Sequence, residues 1–303
     1  MDLGLTGAHA VVTGGSKGMG RAIALRLAAE GADVAVLARG GEAVDETAAA
    51  LLAAGSAGSL GLIMDATDEA QVAATFADLD RRWGSLNVLV NTLGPGAGRF
   101  EHLDDAAWDA AFDLGVMAAV RCVRQALPLL RRAEWARIVN VSAHSTQRQS
   151  PMLVAYTASK SALTSFSKNL SKSLAPEGIL VNTVSPGSIV TASFSEGLRE
   201  IFEEAGLDAT DPYDVMRWID ENFHQPADLG RAGLPEEVAS LTAYLASRTN
   251  GYVTGADVNV DGGQPRHPRL AALRASFFGD RARAEQDEEL RARPRLAGRL
   301  QRA

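Results

Sequence analysis

A glycine-rich turn near the start of the chain, set between an apolar run and a helix-like pattern, constrains the fold more than any other feature. The run covers residues 8–12, the turn reads Thr13-Gly14-Gly15-Ser16-Lys17-Gly18-Met19-Gly20, and the helix-like stretch covers 21–28. A strand, a tight turn and a helix N-terminus in this order present free backbone N–H groups and a positive dipole end to a pyrophosphate. Glycine allows the backbone to turn sharply and approach a ligand that a Cβ would hold off. Its place after the first strand of a βαβ unit marks Gly14, Ser16, Lys17, Gly18, Met19 and Gly20 as ligand-loop candidates rather than an ordinary turn.

Strand-like and helix-like segments alternate along the rest of the chain. Residues 32–38, 60–64, 86–90, 137–142, 179–184 and 256–260 read as strands, and 42–54, 68–83 and 235–246 as helices. Alternation of this kind implies an α/β fold: a doubly wound, mostly parallel sheet of about seven strands with right-handed crossovers and helices on both faces. The 303 residues are 46% hydrophobic, enough for one large domain over 1–263 with a basic extension over 264–303.

A second motif lies far along the chain, at Tyr156-Thr157-Ala158-Ser159-Lys160. Four residues of helix bring phenol and ammonium to one face, about one turn apart. A cation held there is expected to lower the tyrosine pKa and make it a proton donor or acceptor for an alcohol–ketone interconversion. Alone, this spacing also occurs on solvated helices; with the glycine-rich turn it becomes specific.

Together these motifs resemble the short-chain dehydrogenase/reductase family over roughly residues 5–263, and further positions match in the family's order. Asp65 lies in Met64-Asp65-Ala66-Thr67-Asp68, Asn91 and Gly94 in Asn91-Thr92-Leu93-Gly94, and Ser185 is followed by Pro186-Gly187-Ser188-Ile189-Val190-Thr191. The resemblance implies that Asp65 contacts adenine and that Asn91 holds the central strand. It also implies that Pro186, Gly187, Ile189 and Thr191 receive the nicotinamide carboxamide, and that Lys160 holds the nicotinamide ribose.

Two positions depart from the family pattern. Thirteen residues before Tyr156, where the family places a serine that bonds the substrate oxygen, stands Ala143. Strand alternation turns Ser142 to the opposite face, whereas Ser145 shares the face of Ala143 if the strand continues. Ser145, Ser142 re-aimed by a bulge, or no serine at all supplies the hydroxyl. Gly115 stands where the family has an asparagine that supports a water-linked proton relay to the lysine. A water is one candidate for the vacated volume.

The second strand ends Val36-Leu37-Ala38-Arg39. Ala38 occupies the place of the acidic residue that would hold a ribose 2′-hydroxyl, and Arg39 can grip a phosphate. NADP(H) is therefore expected over NAD(H), with Ser16 and Lys17 assisting; the plainer reading makes Arg39 and Lys17 solvated charges. The leading expectation is an NADP-dependent oxidoreductase moving a hydride between cofactor and a ketone or secondary alcohol. β-Ketoacyl, steroid and polyketide ketones are the settings the resemblance implies. The Ala143 and Gly115 departures motivate an alternative, a lyase, dehydratase or isomerase on the same scaffold. A further alternative is a cofactor-binding partner subunit whose catalysis has decayed, against which the retained Tyr156 and Lys160 speak.

Residues 191–230 correspond to the family's substrate-covering region and carry Phe194, Leu198, Ile201, Phe202, Tyr213, Met216, Trp218 and Phe223. They fit two small helices packed on themselves, a mobile lid over a bulky apolar substrate, or both. The extension holds ten arginines against five acids, net +5 in a chain of net −7, with a helical pattern at 268–278. A solvated extension or an arm reaching a neighbouring subunit fits it. The acidic remainder argues against nucleic acid. No apolar run reaches the roughly 20 residues of a membrane span, so a cytoplasmic protein with a small-molecule substrate and no metal is expected. The single Cys122 reads as a core residue. The region 151–175, with Leu153, Leu163, Phe166 and Leu170, suggests a paired-helix interface in a homotetramer or homodimer.

Overall fold

The structure, a computed structural model, describes residues 2–264; the basic extension and the helix expected at 268–278 lie outside the described residues. Seven strands form one parallel sheet in the order β3-β2-β1-β4-β5-β6-β7. They are β1 His9–Thr13, β2 Asp33–Ala38, β3 Leu60–Ile63, β4 Val88–Asn91, β5 Ala136–Val141, β6 Ile179–Pro186 and β7 Asp257–Val260. Each begins and ends within two residues of its expected bounds. The helices are α1 Gly18–Ala29, α2 Gly41–Ala53, α3 Glu69–Trp83, α4 Asp105–Phe112, α5 Ala118–Leu130, α6 Val154–Leu174, α7 Ala192–Glu204, α8 Pro212–Phe223 and α9 Pro235–Leu245.

The central strands read as near-continuous apolar runs because both faces are covered. Alternate residues of β1 feed two cores: Ala10 and Val12 pack with Ile23, Leu27, Val44 and Val238 from α1, α2 and α9. Val11 packs on the other face with Val72, Phe76, Cys122 and Leu174 from α3, α5 and α6. Asp68 starts α3 by accepting from the backbone N–H groups of Ala70 and Gln71 at 2.9 and 3.1 Å, which satisfies donors that a helix leaves open. Cys122 is buried, and burial pushes its thiol up to about 12, so it is a core residue and no nucleophile.

Residues 191–230 form α7 and α8 with their own core of Phe202, Val215, Met216 and Ile219, against which Phe194, Leu198 and Trp218 pack. Most of the aromatic surface in this segment is thus consumed within it. On α6, Leu163 is buried, while Phe166 and Leu170 pack into the second core. Part of the apolar surface expected on that helix for subunit pairing is therefore spent within the subunit, while Leu153, Phe166 and Leu170 stay partly exposed. Among the described residues, no helix is long and apolar enough to cross a membrane.

Candidate active site

Every candidate residue but Ser16–Gly20 and the α6 pair comes from the carboxyl edge of the sheet, on both sides of the β1/β4 boundary. There the strand order reverses, and adjoining crossovers leave on opposite faces and open a crevice. The turn after β1 is built tightly. Gly14 has φ +68°, its N–H donates to Leu37 O at 2.8 Å, and a Cβ there would meet Thr92 Oγ1 at 2.7 Å. A Cβ on Gly15 would meet Val12 O at 2.8 Å, and one on Gly20 would strike the Gly14 carbonyl oxygen. These glycines bring backbone against backbone, and no side chain caps the first turn of α1 at Lys17. Its N–H groups remain open to an anion. Thr191, at the start of α7, stands 3.5 Å from the position a Gly18 Cβ would take, so the loop after β6 faces this turn.

A buried polar ladder ties the turn to the other half of the crevice. Thr13 Oγ1 donates to Asn91 Oδ1 at 3.1 Å, Asn91 Nδ2 to Asn140 Oδ1 at 2.8 Å, and Asn140 Nδ2 to Ser167 Oγ on α6 at 2.8 Å. Asn91 thus bonds across β1, β4 and β5 together. Asp65 accepts from the N–H and hydroxyl of Thr67 at 2.9 and 2.7 Å, which, with the nearby Arg39 charge, holds its carboxyl below the usual range. Arg39, Lys17 and Ser16 lie on the same side, with the Arg39 and Lys17 side chains exposed.

At the opposite end, Tyr156 and Lys160 lie on the first turns of α6. A Cβ placed on Gly94 would meet Lys160 Cε at 3.1 Å, its Nζ at 3.3 Å and Tyr156 Cε2 at 3.5 Å, so the pair converges on bare backbone. Lys160 is buried, its Nζ donating to Leu93 O at 2.6 Å and Val141 O at 2.7 Å and lying 6.0 Å from the Tyr156 ring centroid. Burial pulls Lys160 down to about 7 and pushes the Tyr156 phenol above its usual value. This corrects the expectation that the lysine lowers the tyrosine pKa. The Lys160 Nζ is drawn to two backbone carbonyls, and desolvation dominates both groups.

Both departures from the family pattern acquire a structural form. β5 ends at Val141 and residues 144–146 make a 3₁₀ turn, so the strand continuation that would align Ser145 with Ala143 does not occur. Ser142 is buried with its hydroxyl turned to α6, donating to Lys160 O at 3.1 Å and paired with Thr164 Oγ1 at 2.7 Å. Ser145 reaches α6 by another route, accepting from Thr157 Oγ1 at 3.0 Å, one residue beyond Tyr156. Gly115 sits in a π-helical turn, Asp113–Met117, and a Cβ there would collide with Ser159 Oγ and come 2.7 Å from Ser159 Cβ. The volume considered for a water is therefore filled by Ser159, which is fully buried.

Beyond Gly187, Ser188 N–H donates to Gln264 Oε1 at 3.3 Å, while Val190 and Gly233 tie this loop to the segment before α9 at 2.9 Å. Thr191 caps α7 through Phe194 N–H at 3.2 Å. Sequence reading gave no role to Thr157 and Ser159, which fill the variable positions of the Tyr156–Lys160 motif, or to Arg148 and Gln264, which lie in loops outside any motif.

The fold and this crevice define a Rossmann-type α/β protein with a tyrosine–lysine pair at one end of a nucleotide cradle. A family model described as enoyl-(acyl carrier protein) reductase matches residues 14–264. The chain is 32% identical over 257 residues to the short-chain reductase protein NovJ of Streptomyces niveus, covering 84% of this chain and 93% of that one. L-sorbose reductase from Gluconobacter frateurii, solved with NADPH and L-sorbose, matches at TM-score 0.82 and 29% identity, over 88% of this chain and all of the other. An actinorhodin polyketide ketoreductase solved with NADPH matches at TM-score 0.75 and 32% identity, over 85% and 97% of the two chains. The chain belongs to the short-chain dehydrogenase/reductase family.

Proposed function

We propose that this protein is an NADP(H)-dependent oxidoreductase of ketones or secondary alcohols. The observation that carries the reading is the convergence of Tyr156 and Lys160 on Gly94, across the crevice from a turn in which glycines leave room for a diphosphate. Relatives solved with NADPH support the choice of cofactor, as does the Ala38-Arg39 pair at the end of β2.

Gly14, Gly18, Met19, Gly20 and the N-terminus of α1 would hold the diphosphate, Arg39 with Ser16 and Lys17 the 2′-phosphate, and Asp65 the adenine. Asn91 keeps the strands beneath in register, while Gly94, Pro186, Gly187, Ile189 and Thr191 shape the nicotinamide end. When bound, the nicotinamide supplies or accepts the hydride. Tyr156 gives or takes the proton at the substrate oxygen, and Lys160, pulled to about 7, can hold or release a proton near working pH. Ser145 is the better candidate for the missing hydroxyl. It accepts from Thr157 and keeps its own proton to donate, whereas the Ser142 proton is directed to the Lys160 carbonyl.

The test follows NADPH absorbance against acyl, steroid, polyketide and sugar ketones. Turnover is expected with at least one class, lost in Tyr156→Phe with NADPH still bound, and reduced about 10²-fold or more in Ser145→Ala, the usual effect of removing one donor at a reacting oxygen. Arg39→Ala should weaken NADP(H) and spare NAD(H). A protein that binds NADPH and oxidises it with none of these ketones overturns the reading.

A further inference from the structure

Three segments that are distant in the chain meet at the C-terminal end of α8. His224, which caps that helix, is the only non-glycine residue with positive φ among the described residues, at 51°. A left-handed residue with a side chain costs roughly 1 kcal/mol, and it persists where surrounding contacts over-determine it. Here the contacts are explicit. The buried guanidinium of Arg148, four residues beyond the 144–146 turn's start, donates to His224 O at 2.7 Å. The next carbonyl, Gln225 O, accepts from Gln264 Nε2 at 3.0 Å. Gln264 is itself buried, and its amide also bonds Ser188 Oγ at 3.1 Å and the Ser188 N–H at 3.3 Å. Two consecutive carbonyls at the end of α8 are thus held, one by Arg148 from the loop before α6 and one by Gln264 from the segment after β7, which also bonds Ser188 in the loop expected to receive the nicotinamide.

The loop that carries Arg148 is fixed on its other side. Gln147 and Asn259 exchange amide hydrogen bonds at 2.9 and 3.0 Å, and Asn259 Nδ2 also donates to Asp261 at 3.0 Å. Arg148 therefore projects from a base anchored to β7, and a shift of α8 would break its 2.7 Å bond to His224 O.

We infer that Arg148 and Gln264 are positioning residues that hold α7 and α8 closed over the substrate, so that they set substrate affinity and leave the chemical step alone. The substrate part of this inference rests on the reductase reading; the closure part does not. Arg148 acts on the segment as a unit, because α7 and α8 share one core. Gln264 links the same segment to the nicotinamide loop, which gives the cofactor a route to order the lid.

Hydrogen exchange on the full-length protein and steady-state kinetics with a ketone that the wild type reduces test it together. Arg148→Ala should speed amide exchange in 212–223 by about ten- to a hundredfold, the worth of a buried hydrogen bond to a charged group, with β5 and α6 unchanged. It should raise KM by a similar factor and leave kcat within about twofold, the mark of lost binding common to ground and transition states. Arg148→Lys, which can still donate to a carbonyl, should recover most of the KM. Gln264→Ala, a smaller change, should give the same pattern more weakly and is the arm to read if Arg148→Ala does not fold. Unchanged exchange in 212–223, or exchange that rises equally across the sheet, overturns the inference. A wild type that reduces no ketone strikes the reductase reading, and the exchange result still decides the closure.

Discussion

Lys160 illustrates how burial overrides charge arithmetic at a single residue. Four residues separate it from Tyr156, and that spacing alone suggests an ammonium lowering a phenol pKa. The side chain is instead enclosed, with its Nζ on the Leu93 and Val141 carbonyls, and its pKa falls to about 7 from an ordinary 10.5. Between those values the unfolded chain carries a proton that the folded chain lacks. The cost of burying this group is therefore fully present below about pH 7 and is relieved as pH rises from 7 towards 10.5, so stability climbs across that window and is flat beneath it. Denaturant unfolding at pH 6, 7.5 and 9 should show wild type gaining on Lys160→Met as pH rises above 7, by at most about 1.4 kcal/mol per pH unit. Parallel pH profiles for the two proteins would refute a depressed lysine. The tyrosine, raised by burial, then depends on its neighbours in the complete complex to become a working acid or base.

Among the elements, the β1–α1 turn shows the strongest link from local sequence to site. Alanine is a better helix former than glycine by about 1 kcal/mol, yet at Gly20 its Cβ would strike the Gly14 carbonyl and stand 2.7 Å from Thr92 Oγ1. The turn would have to open, so Gly20→Ala should lower NADPH affinity at least about tenfold while the far-ultraviolet circular dichroism stays that of the wild type. Fluorescence titration with NADPH decides it, and wild-type affinity would mean that the turn does not cradle the phosphates. The α4–α5 junction was less legible. An apolar helical pattern runs through Gly115 without interruption, and nothing in it announces the π-turn at Asp113–Met117 or the seating of Ser159 against that glycine. Such a turn adds one residue to the helical circuit, and what stabilises it here is packing against α6, 44 residues later.

For the whole molecule, the question is which surface meets another copy. Of the apolar residues expected to serve on α6, Leu163 is buried and Leu153, Phe166 and Leu170 are partly so, and the elements touching α6 carry the exposed Phe112, at the end of α4, and Met117, leading into α5. Tyr252 stands almost wholly exposed in the loop before β7. An apolar edge of this kind beside α4 and α5 is a candidate isologous contact. Light scattering at micromolar concentration should give a dimer or tetramer, and Phe112→Asp with Met117→Asp should shift it towards the 31.9 kDa monomer. A wild type that scatters as a monomer would remove the assembly, and an unshifted double variant would move the contact elsewhere.

What the sequence by itself determined is whatever is written within a turn or two of chain. Apolar runs broken by helical periods place seven strands within two residues, and glycines mark the turn where backbone meets backbone. A tyrosine and a lysine one turn apart locate the chemistry, because periodicity and turn stereochemistry act between near neighbours. Only the tertiary structure decided the proton balance of Lys160, the direction of the Ser142 hydroxyl, the filling of the space beside Gly115 and the hold of Arg148 on His224. Each of these depends on burial or on a partner from a distant segment. Desolvation and hydrogen bonding are set by what folding brings together, and no local pattern encodes them.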